Sequence, residues 1–195
     1  MFMARRFRTQ VHTLPDGHRI VAIHSSDATE RLRKFVEAKA VVDKELGCTP
    51  ELPSSWRAFL YLAPGSARMV GMAVAEPLST AYRLVLPDVG AVGGEEGSGV
   101  DAMAATDAAT DASRGEVLRH DGVRQPAMCG ISHIWVDESH RRSGVARQLV
   151  DAVRRNMATG FEVPTRMLAF SQPTTYGRAF AAAYTGTATF LVYTD

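Results

Sequence analysis

Three segments of the chain carry apolar residues every three or four positions, which is the spacing of an amphipathic helix. The pattern is clearest in the second segment, where Val145, Leu149, Val153 and Met157 recur every four residues. That stripe predicts a helix that packs one face inward. The three helices are predicted over about 28–46, from near Gly144 onward, and from Pro173 to about Tyr184.

Residues that favour helix ends flank the first and third of these segments. Asp27, with Glu30 three positions later, is a weak capping pair for the first helix, which Gly47 follows. Ser171 or Gln172 is expected near the cap of the third helix, with Pro173 in its first turn and Gly186 at its end.

Short segments of alternating or continuous apolar residues lie around the helices and predict β-strands. The turns LPDG, around Gly17, and PGSA, around Gly65, predict two hairpins. The fourth strand has room to continue past Pro77 as STAYRLVL. The strands are predicted over 7–13, 18–24, 57–63, 68–76, 128–136, 166–171 and 187–194, with 128–136 central in the sheet.

One stretch fits neither pattern. From 90 to about 118 the chain is rich in Gly, Ala, Ser, Thr and Asp and holds few large apolar residues. Such a composition buries little surface, so we predict a flexible insertion inside a single domain that spans 1–195. A marginal helix over 100–112 is the alternative.

The composition is that of one ordinary globular domain: 195 residues, 46% hydrophobic and 22% charged. Because 22 basic residues nearly balance 21 acidic ones, no bulk charge attracts nucleic acid or a membrane. No apolar run reaches the roughly 18 residues of a membrane-spanning helix, and the amino terminus does not have the pattern of a secretory signal. Cys48 and Cys129 lie far apart and outside any Cys/His cluster, so we expect an intracellular protein without a metal site.

The first candidate functional segment is SHRRSGVARQLV, residues 139–150. A strand, a short turn with Arg141, Arg142 and Gly144, and then a helix would place free backbone N–H groups and the positive end of the helix dipole at one point, which favours an anion. A glycine there lets the backbone approach a phosphate closely. The chain has no GxxxxGK[ST] and no G-x-G-x-x-G, so hydrolysis of a nucleoside triphosphate is disfavoured. Taken alone, the six residues 141–146 fit an ordinary basic helix start equally well.

The pattern R-x-x-G-x-A at Arg141, Gly144 and Ala146 resembles the pyrophosphate-binding turn of the GCN5-related N-acetyltransferase superfamily. The chain as a whole resembles the cohesion-establishment acetyltransferases of the Eco family, and only the segment at 90–118 lies outside the resemblance. The blocks that carry it are PDGHRIV (15–21), VDKELG (42–47), FLYL (59–62), VGMAVAE (70–76), CGISHIWV (129–136), RRSGVA (141–146), AFSQPTTYGRAFAAAYTGT (169–187) and FLVY (190–193).

The resemblance implies an α+β fold, the acetyltransferase fold of that superfamily, with a central mixed, mostly antiparallel sheet and flanking helices. It implies a protein-lysine N-acetyltransferase that moves acetyl from acetyl-CoA, leaving coenzyme A, to lysines of the cohesin SMC ATPase subunit. Such transfer establishes sister chromatid cohesion in S phase, so a nuclear, chromatin-associated location is expected. Neither a membrane nor direct nucleic-acid binding is expected.

Relatives commonly carry an N-terminal C2H2 zinc finger and motifs for the replication clamp, and neither is found in this chain. That difference suggests a truncated protein or a lineage without those modules. Contacts with replication-fork proteins would then depend on regions outside this chain.

The resemblance also implies that one strand of the sheet splays from its neighbour and leaves backbone groups free for the pantetheine arm of the coenzyme. Plain core packing is expected in addition for the side chains of Ile134 and Val136. The implied coenzyme-binding residues are Ile134, Trp135 and Val136 on the strand, Arg141, Arg142, Ser143, Gly144, Val145, Ala146 and Arg147 on the turn, and Thr174, Thr175 and Tyr176 at the start of the third helix.

Acetyl transfer to lysine needs a base or a water wire, because the lysine amine has a pKa of about 10.4 in solution. Glu76 ends the strand VGMAVAE and is one candidate base, with a structural partner as the alternative. Ser132 matches a family position beside the reaction centre, where it would bind substrate or relay a proton, or be a satisfied buried serine. Gln172 stands where some relatives carry Asp; it can accept a hydrogen bond but not a proton, so it is a positioning candidate. His133 replaces a family Arg, and its side chain is expected to point to the face opposite those of Ser132 and Ile134.

A direct reaction in a ternary complex is expected, because no cysteine lies where an acyl carrier would be needed. Two other functions remain open at the level of sequence. One is a scaffold of the same fold that binds cohesin without catalysis. The other is an acetyltransferase of the superfamily that acts on small amines such as polyamines or aminoglycosides.

Overall fold

A computed structural model describes residues 10–47, 51–66, 68–85, 119–171 and 173–194. In that part of the chain, nine strands and three α-helices follow one another, together with 3₁₀ turns at Glu138–His140 and Thr165–Met167. The elements are β1 (Gln10–Thr13), β2 (Arg19–His24), α1 (Thr29–Leu46), β3 (Arg57–Leu62), β4 (Met69–Pro77), β5 (Thr80–Leu84), β6 (His120–Pro126), β7 (Cys129–Val136), α2 (Val145–Asn156), β8 (Leu168–Ser171), α3 (Thr175–Thr185) and β9 (Leu191–Tyr193).

All nine strands form one mixed sheet in the order β1-β2-β3-β4-β7-β8-β9-β5-β6. Neighbours are antiparallel except for β7, β8 and β9, which run parallel. Parallel neighbours need a crossover, and α2 and α3 supply the two crossovers. The mixed, mostly antiparallel sheet with flanking helices is therefore confirmed, and β7 lies at its centre.

The helices cover the two faces of the sheet. On one face α2 and α3 pack on the larger core cluster, to which Leu149 and Tyr184 belong. On the other face α1 packs on a second cluster, where the rings of Phe35 and Trp56 stack with centroids 4.4 Å apart. The stripe predicted for α2 is confirmed, since Val145, Leu149 and Val153 are buried.

Both predicted hairpins form, as β1-β2 and β3-β4. The extension of β4 past Pro77 is wrong, because the chain leaves the centre of the sheet there and β5 pairs with β6 and β9 near the far edge. Strand β6 was not predicted: its side chains are nearly all exposed, so it carries no apolar alternation. The residues predicted as an insertion at 90–118 lie outside the described part of the chain.

The helix ends differ from the prediction in two places. Asp27 does not cap α1, because its carboxylate accepts from the backbone N–H of His24 and pairs with Arg31. Thr174, and not Ser171, caps α3 by accepting from Gly177 N at 3.2 Å, so Pro173 precedes the cap and lies outside the first turn. The third helix ends as predicted, at a left-handed Gly186.

Candidate active site

Strand β7 carries a bulge at Ser132. Against β4, His133 pairs with Val74 and Ile131 pairs with Ala75, so Ser132 is the extra residue on β7. Its hydroxyl donates to the Val74 carbonyl oxygen at 3.3 Å and lies 2.9 Å from His133 Nδ1. The expectation that His133 points away from Ser132 is therefore wrong, because a bulge interrupts the alternation that a regular strand would keep.

The bulge also changes which side chains of β7 face α2. Before it, Ile131 lies in the core cluster beneath α2, and after it Ile134 and Val136 pack against the same cluster. Trp135 lies on the α1 side, where its indole Nε1 donates to Glu45 Oε2 at 2.8 Å. Only the backbone of Trp135 is therefore available to a ligand at the strand edge.

Strand β7 parts from β8 at the same point. The parallel pairing runs only from Cys129 with Leu168 to Ile131 with Phe170, whereas β7 continues to Val136 alongside β4. Among the described residues, the second half of β7 thus has a strand partner on one side only. This opening between β7 and β8, called the cleft below, is the splay that the resemblance implied, and it leaves backbone groups of β7 without a strand partner on that side.

After its open edge, β7 continues through a short loop to the N-terminal end of α2. Gly144 has a φ of 88°, Arg142 has a φ of 60°, and no side chain of the described residues caps the helix. The N–H groups of the first turn of α2 have no carbonyl partner within the helix, and they lie at the positive end of the helix dipole. The start of α3, by contrast, is already capped by Thr174.

Arginines surround this turn. Arg141 and Arg142 are exposed, and Arg141 Nε also donates to the Val136 carbonyl at 3.2 Å. The guanidinium of Arg147 lies 5.3 Å from the ring centroid of Tyr184 on α3. The Tyr184 hydroxyl donates to Asp151 Oδ1 at 2.5 Å, so α3 is tied to α2 beside the cleft.

The other residues implied in coenzyme binding differ in exposure. Thr175 and Tyr176 occupy the first turn of α3 and are exposed, with 76% of Tyr176 accessible. Ser143 lies in the turn itself, where its hydroxyl donates to the His140 carbonyl at 2.5 Å. Gln172 lies outside the described residues.

Glu76 lies next to β7, paired with Gly130, two residues before the bulge. Its Oε1 accepts from the hydroxyl of Tyr193 at 2.8 Å. Burial and, secondarily, the Glu76 carboxylate raise the pKa of the Cys129 thiol to about 12. The Glu76 carboxylate is thus held close to the central strand. The nearby Cys129 thiol is protonated at neutral pH.

A pocket of about 180 Å³ lies at the same end of β4. Pro77 borders it together with His24, Ser55 and Arg57. Burial, followed by the charge of Arg57, lowers the pKa of His24, so that imidazole is neutral at physiological pH. Arg57 is engaged at the far end of α2, where Nη1 donates to the Met157 carbonyl at 3.1 Å.

Sequence reasoning missed Tyr193 and the contact between His133 and Ser132. FLVY was recognised as a block, but nothing in its spacing indicates that its tyrosine reaches across the sheet to Glu76. The bulge gave no sequence signal either, because CGISHIWV has the apolar content of an uninterrupted strand. In the described part of the chain, no group of three or more His, Cys, Asp or Glu could hold a metal ion, and no helix is long and apolar enough to cross a membrane.

The family model described as ESCO1/2 acetyl-transferase matches residues 125–193, which include β7, the turn, α2 and α3. The chain is 33% identical to human N-acetyltransferase ESCO2 over 181 residues, and 34% identical to Drosophila melanogaster N-acetyltransferase eco over 179. Each match covers 91% of this chain, but only 27% of the human protein and 14% of the fly protein. The chain thus spans about a quarter or less of these relatives.

Two solved structures of the xEco2 acetyltransferase domain are similar over almost their whole length. Each superposes with a TM-score of 0.74 at 30% sequence identity and covers 94% of this chain. The match extends over 96% of the first xEco2 chain and 94% of the second. The first of these xEco2 domains is bound to a CoA conjugate.

Proposed function

This chain belongs to the family of ESCO1/2 acetyltransferases, and on that premise we propose that it transfers the acetyl group of acetyl-CoA to lysine side chains of a protein. The observation that carries the proposal is the open edge of β7, which leads directly to the uncapped start of α2. A similar xEco2 domain is bound to a CoA conjugate, which supports coenzyme binding by this chain.

The residues present fit a coenzyme A molecule. A diphosphate would accept hydrogen bonds from the first-turn amides of α2, with Arg141 and Arg142 adding positive charge. An added Cβ at Gly144 would meet nothing nearer than Gln148 Nε2 at 4.0 Å, so the space over this backbone is open to a ligand. The free backbone edge of β7 would pair with the amides of the pantetheine arm, and Thr175 and Tyr176 would line the other wall.

Acetyl-CoA supplies an acetyl group activated as a thioester. The chain must then deprotonate the lysine ammonium and hold the amine against that group. We assign the base to Glu76, because its carboxylate lies beside the central strand and is held by Tyr193. Ser132, at the bulge, is assigned to orient the amine or relay its proton through its hydroxyl. Gln172 is assigned to accept a hydrogen bond from the incoming ammonium.

Transfer is proposed to be direct, without an acyl-enzyme. A thiol must ionise to act as a nucleophile, and Cys129 is fully buried with its pKa raised to about 12. The thiol is therefore held in its unreactive form, which supports a single step between bound acetyl-CoA and bound lysine.

The proposed acceptor is the SMC ATPase subunit of cohesin, with acetylation during S phase establishing sister chromatid cohesion on chromatin in the nucleus. Family membership supports this acceptor, and the replication fork is the proposed setting.

The first experiment is an acetylation assay with a peptide from the cohesin ATPase head and acetyl-CoA, run with the wild type and with a variant carrying both Arg142→Ala and Gly144→Ala. The double variant removes one cation and strains the left-handed turn, so CoA should bind at least about tenfold more weakly. Calorimetry with CoA measures that affinity separately from turnover.

Gly160→Ala is the matched control, because Gly160 has nearly the same φ, 86° against 88°, and open space around it, but lies after α2. Gly160→Ala should strain the backbone by a similar amount and leave the affinity for CoA unchanged. A wild type that binds CoA and peptide but transfers nothing would refute the enzyme and support a scaffold. Transfer to a polyamine with none to the peptide would refute the protein acceptor.

A further inference from the structure

The loop between β7 and α2 is organised around one carboxylate, that of Asp137. Its Oδ1 accepts from the Ser139 backbone N–H at 3.1 Å and from the Ser139 hydroxyl, and lies 3.2 Å from His140 Nδ1. Its Oδ2 lies 3.4 Å from the guanidinium of Arg68. We call these four residues, Arg68, Asp137, Ser139 and His140, the Asp137 cluster.

The cluster is connected to the anion-binding turn by a continuous set of hydrogen bonds. The backbone N–H of His140 donates to the Asp137 carbonyl at 2.8 Å, and that of Asp137 donates to the Val70 carbonyl on β4 at 3.0 Å. The His140 carbonyl in turn accepts from the hydroxyl of Ser143. The turn is therefore fixed to the sheet from one side before any ligand enters from the other.

This arrangement matters because the turn contains an unfavourable conformation. Arg142 has a φ of 60°, which an L-residue other than Gly adopts rarely and only when its surroundings enforce it. A free loop would relax from this shape, and a ligand would then have to restore it at the expense of affinity. The Asp137 cluster holds the residues that flank Arg142 and removes that requirement.

The negative charge of Asp137 would by itself repel a diphosphate. Arg68 and the ring of His140 lie against the carboxylate, and the hydrogen bonds from Ser139 and His140 hold the pKa of Asp137 down to about 2. The carboxylate thus stays ionised as an acceptor at any physiological pH, with its charge partly compensated by neighbours.

We propose that Asp137 is a positioning residue for coenzyme binding: through Ser139 and His140 it sets the left-handed turn that receives the diphosphate. This inference rests on the proposed function, since it takes coenzyme A as the ligand of the turn. It concerns the affinity for the diphosphate portion, and Asp137 itself touches no substrate.

The test measures dissociation constants of CoA and of pantetheine, which lacks the diphosphate, for the wild type, Asp137→Ala and Asp137→Asn. Asp137→Ala should weaken CoA binding about tenfold, because the ligand must then order the loop. Its affinity for pantetheine should not change. Asp137→Asn should be close to the wild type, since the amide oxygen still accepts from Ser139.

Asp16→Ala is the matched control, because Asp16 Oδ1 accepts from His18 N at the same 3.1 Å in the β1-β2 turn, away from the cleft. Ser139→Ala is the milder second variant, and its loss of CoA affinity should lie between those of the wild type and Asp137→Ala. The inference fails if Asp137→Ala binds CoA like the wild type, if it loses both ligands equally, or if Asp16→Ala has the same effect. A wild type that does not bind CoA refutes the proposed function as well, whereas one that binds CoA without transferring acetyl refutes only the transfer.

Discussion

Glu76 and Tyr193 touch although 117 residues separate them in sequence. The contact depends on a glycine between them, because an added Cβ at Gly130 would lie 2.6 Å from Tyr193 Cζ. Ala169, on the intervening strand β8, is likewise small and fully buried. Small residues on β7 and β8 therefore let the ring of Tyr193 lie across the sheet and reach the carboxylate on β4.

Replacing Glu76 tests whether its carboxylate is the base that deprotonates the substrate lysine. Glu76→Gln keeps the shape and can still accept a hydrogen bond from Tyr193, but it cannot take a proton from lysine. We expect kcat to fall about 10²- to 10⁴-fold, with the affinity for CoA unchanged. Steady-state kinetics and calorimetry measure the two quantities.

The activity remaining in Glu76→Gln should also rise with pH, since more of the substrate lysine is then already neutral. Glu37→Gln, on the exposed side of α1, serves as the control and should behave as the wild type. A kcat within twofold of the wild type in Glu76→Gln would remove Glu76 from the chemistry and leave it as a partner of Tyr193.

At the scale of elements, the position of α2 depends on how closely it approaches β4. An added Cβ at Gly71 would lie 2.8 Å from Val145 Cγ1 and 3.1 Å from Leu149 Cδ1. Val145 is the first residue of α2 and follows the turn directly. The same close contact that packs the core therefore also sets where the free amides of the helix point.

We expect Gly71→Ala to destabilise the fold by about 1–3 kcal/mol through overpacking, and to weaken CoA binding by displacing the start of α2. The sign of the change in unfolding free energy is informative, because without the close contact an alanine in a strand is more favourable than a glycine by roughly 0.5–1 kcal/mol. Chemical denaturation and calorimetry measure the two effects.

Adding Val145→Ala to Gly71→Ala makes space for the new methyl group. The double variant should recover part of the stability and most of the CoA affinity. If Gly71→Ala is neutral or stabilising, the contact between α2 and β4 is looser than the structure indicates.

At the scale of the whole molecule, the larger core buries several weakly acidic side chains, and among the described residues Cys129 and Tyr184 have the most strongly raised pKa values. Burial raises the pKa of Cys129 to about 12, and burial followed by the hydrogen bond to Asp151 raises that of Tyr184 to about 12. Both lie in the core cluster shared by the sheet, α2 and α3. Ionising either group in place would introduce a charge between the sheet and the helices that form the site.

Stability should therefore fall in alkali. In the unfolded chain Cys129 ionises near pH 9 and Tyr184 near pH 10, whereas in the folded protein both hold their protons to about pH 12. The folded state binds more protons in this window, so the free energy of unfolding decreases as pH rises through it. For the thiol, the slope is at most about 1.4 kcal/mol per pH unit above pH 9.

Urea titrations between pH 8 and 11 measure this slope. Cys129→Ala should flatten it most between pH 9 and 10, where the thiol is the largest contributor, whatever the variant does to stability at pH 7. Identical slopes in Cys129→Ala and the wild type would show that the thiol ionises freely in the folded protein.

Much of the fold could be predicted from local pattern. The stripe Val145, Leu149 and Val153 repeats with the period of a helix, and Gly186 is the residue that a left-handed helix end prefers. Strand β6 could not be found in this way, because an exposed edge strand needs no apolar alternation. The sequence did not predict that β5 is separate from β4, because the position of a strand in the sheet is decided by pairing partners far away in sequence.

The sequence by itself determined the order of the three helices and of every described strand except β5 and β6, the family resemblance, and the placing of Arg142 and Gly144 at a strand-to-helix turn, because each depends on local residue patterns along the chain. Only the tertiary structure decided the bulge at Ser132, the parting of β7 from β8, and the contact of Glu76 with Tyr193. These features arise from register and packing between segments far apart in the chain. The physical reason is that hydrophobic periodicity specifies which face of an element is buried, but not which element it meets or where their pairing ends.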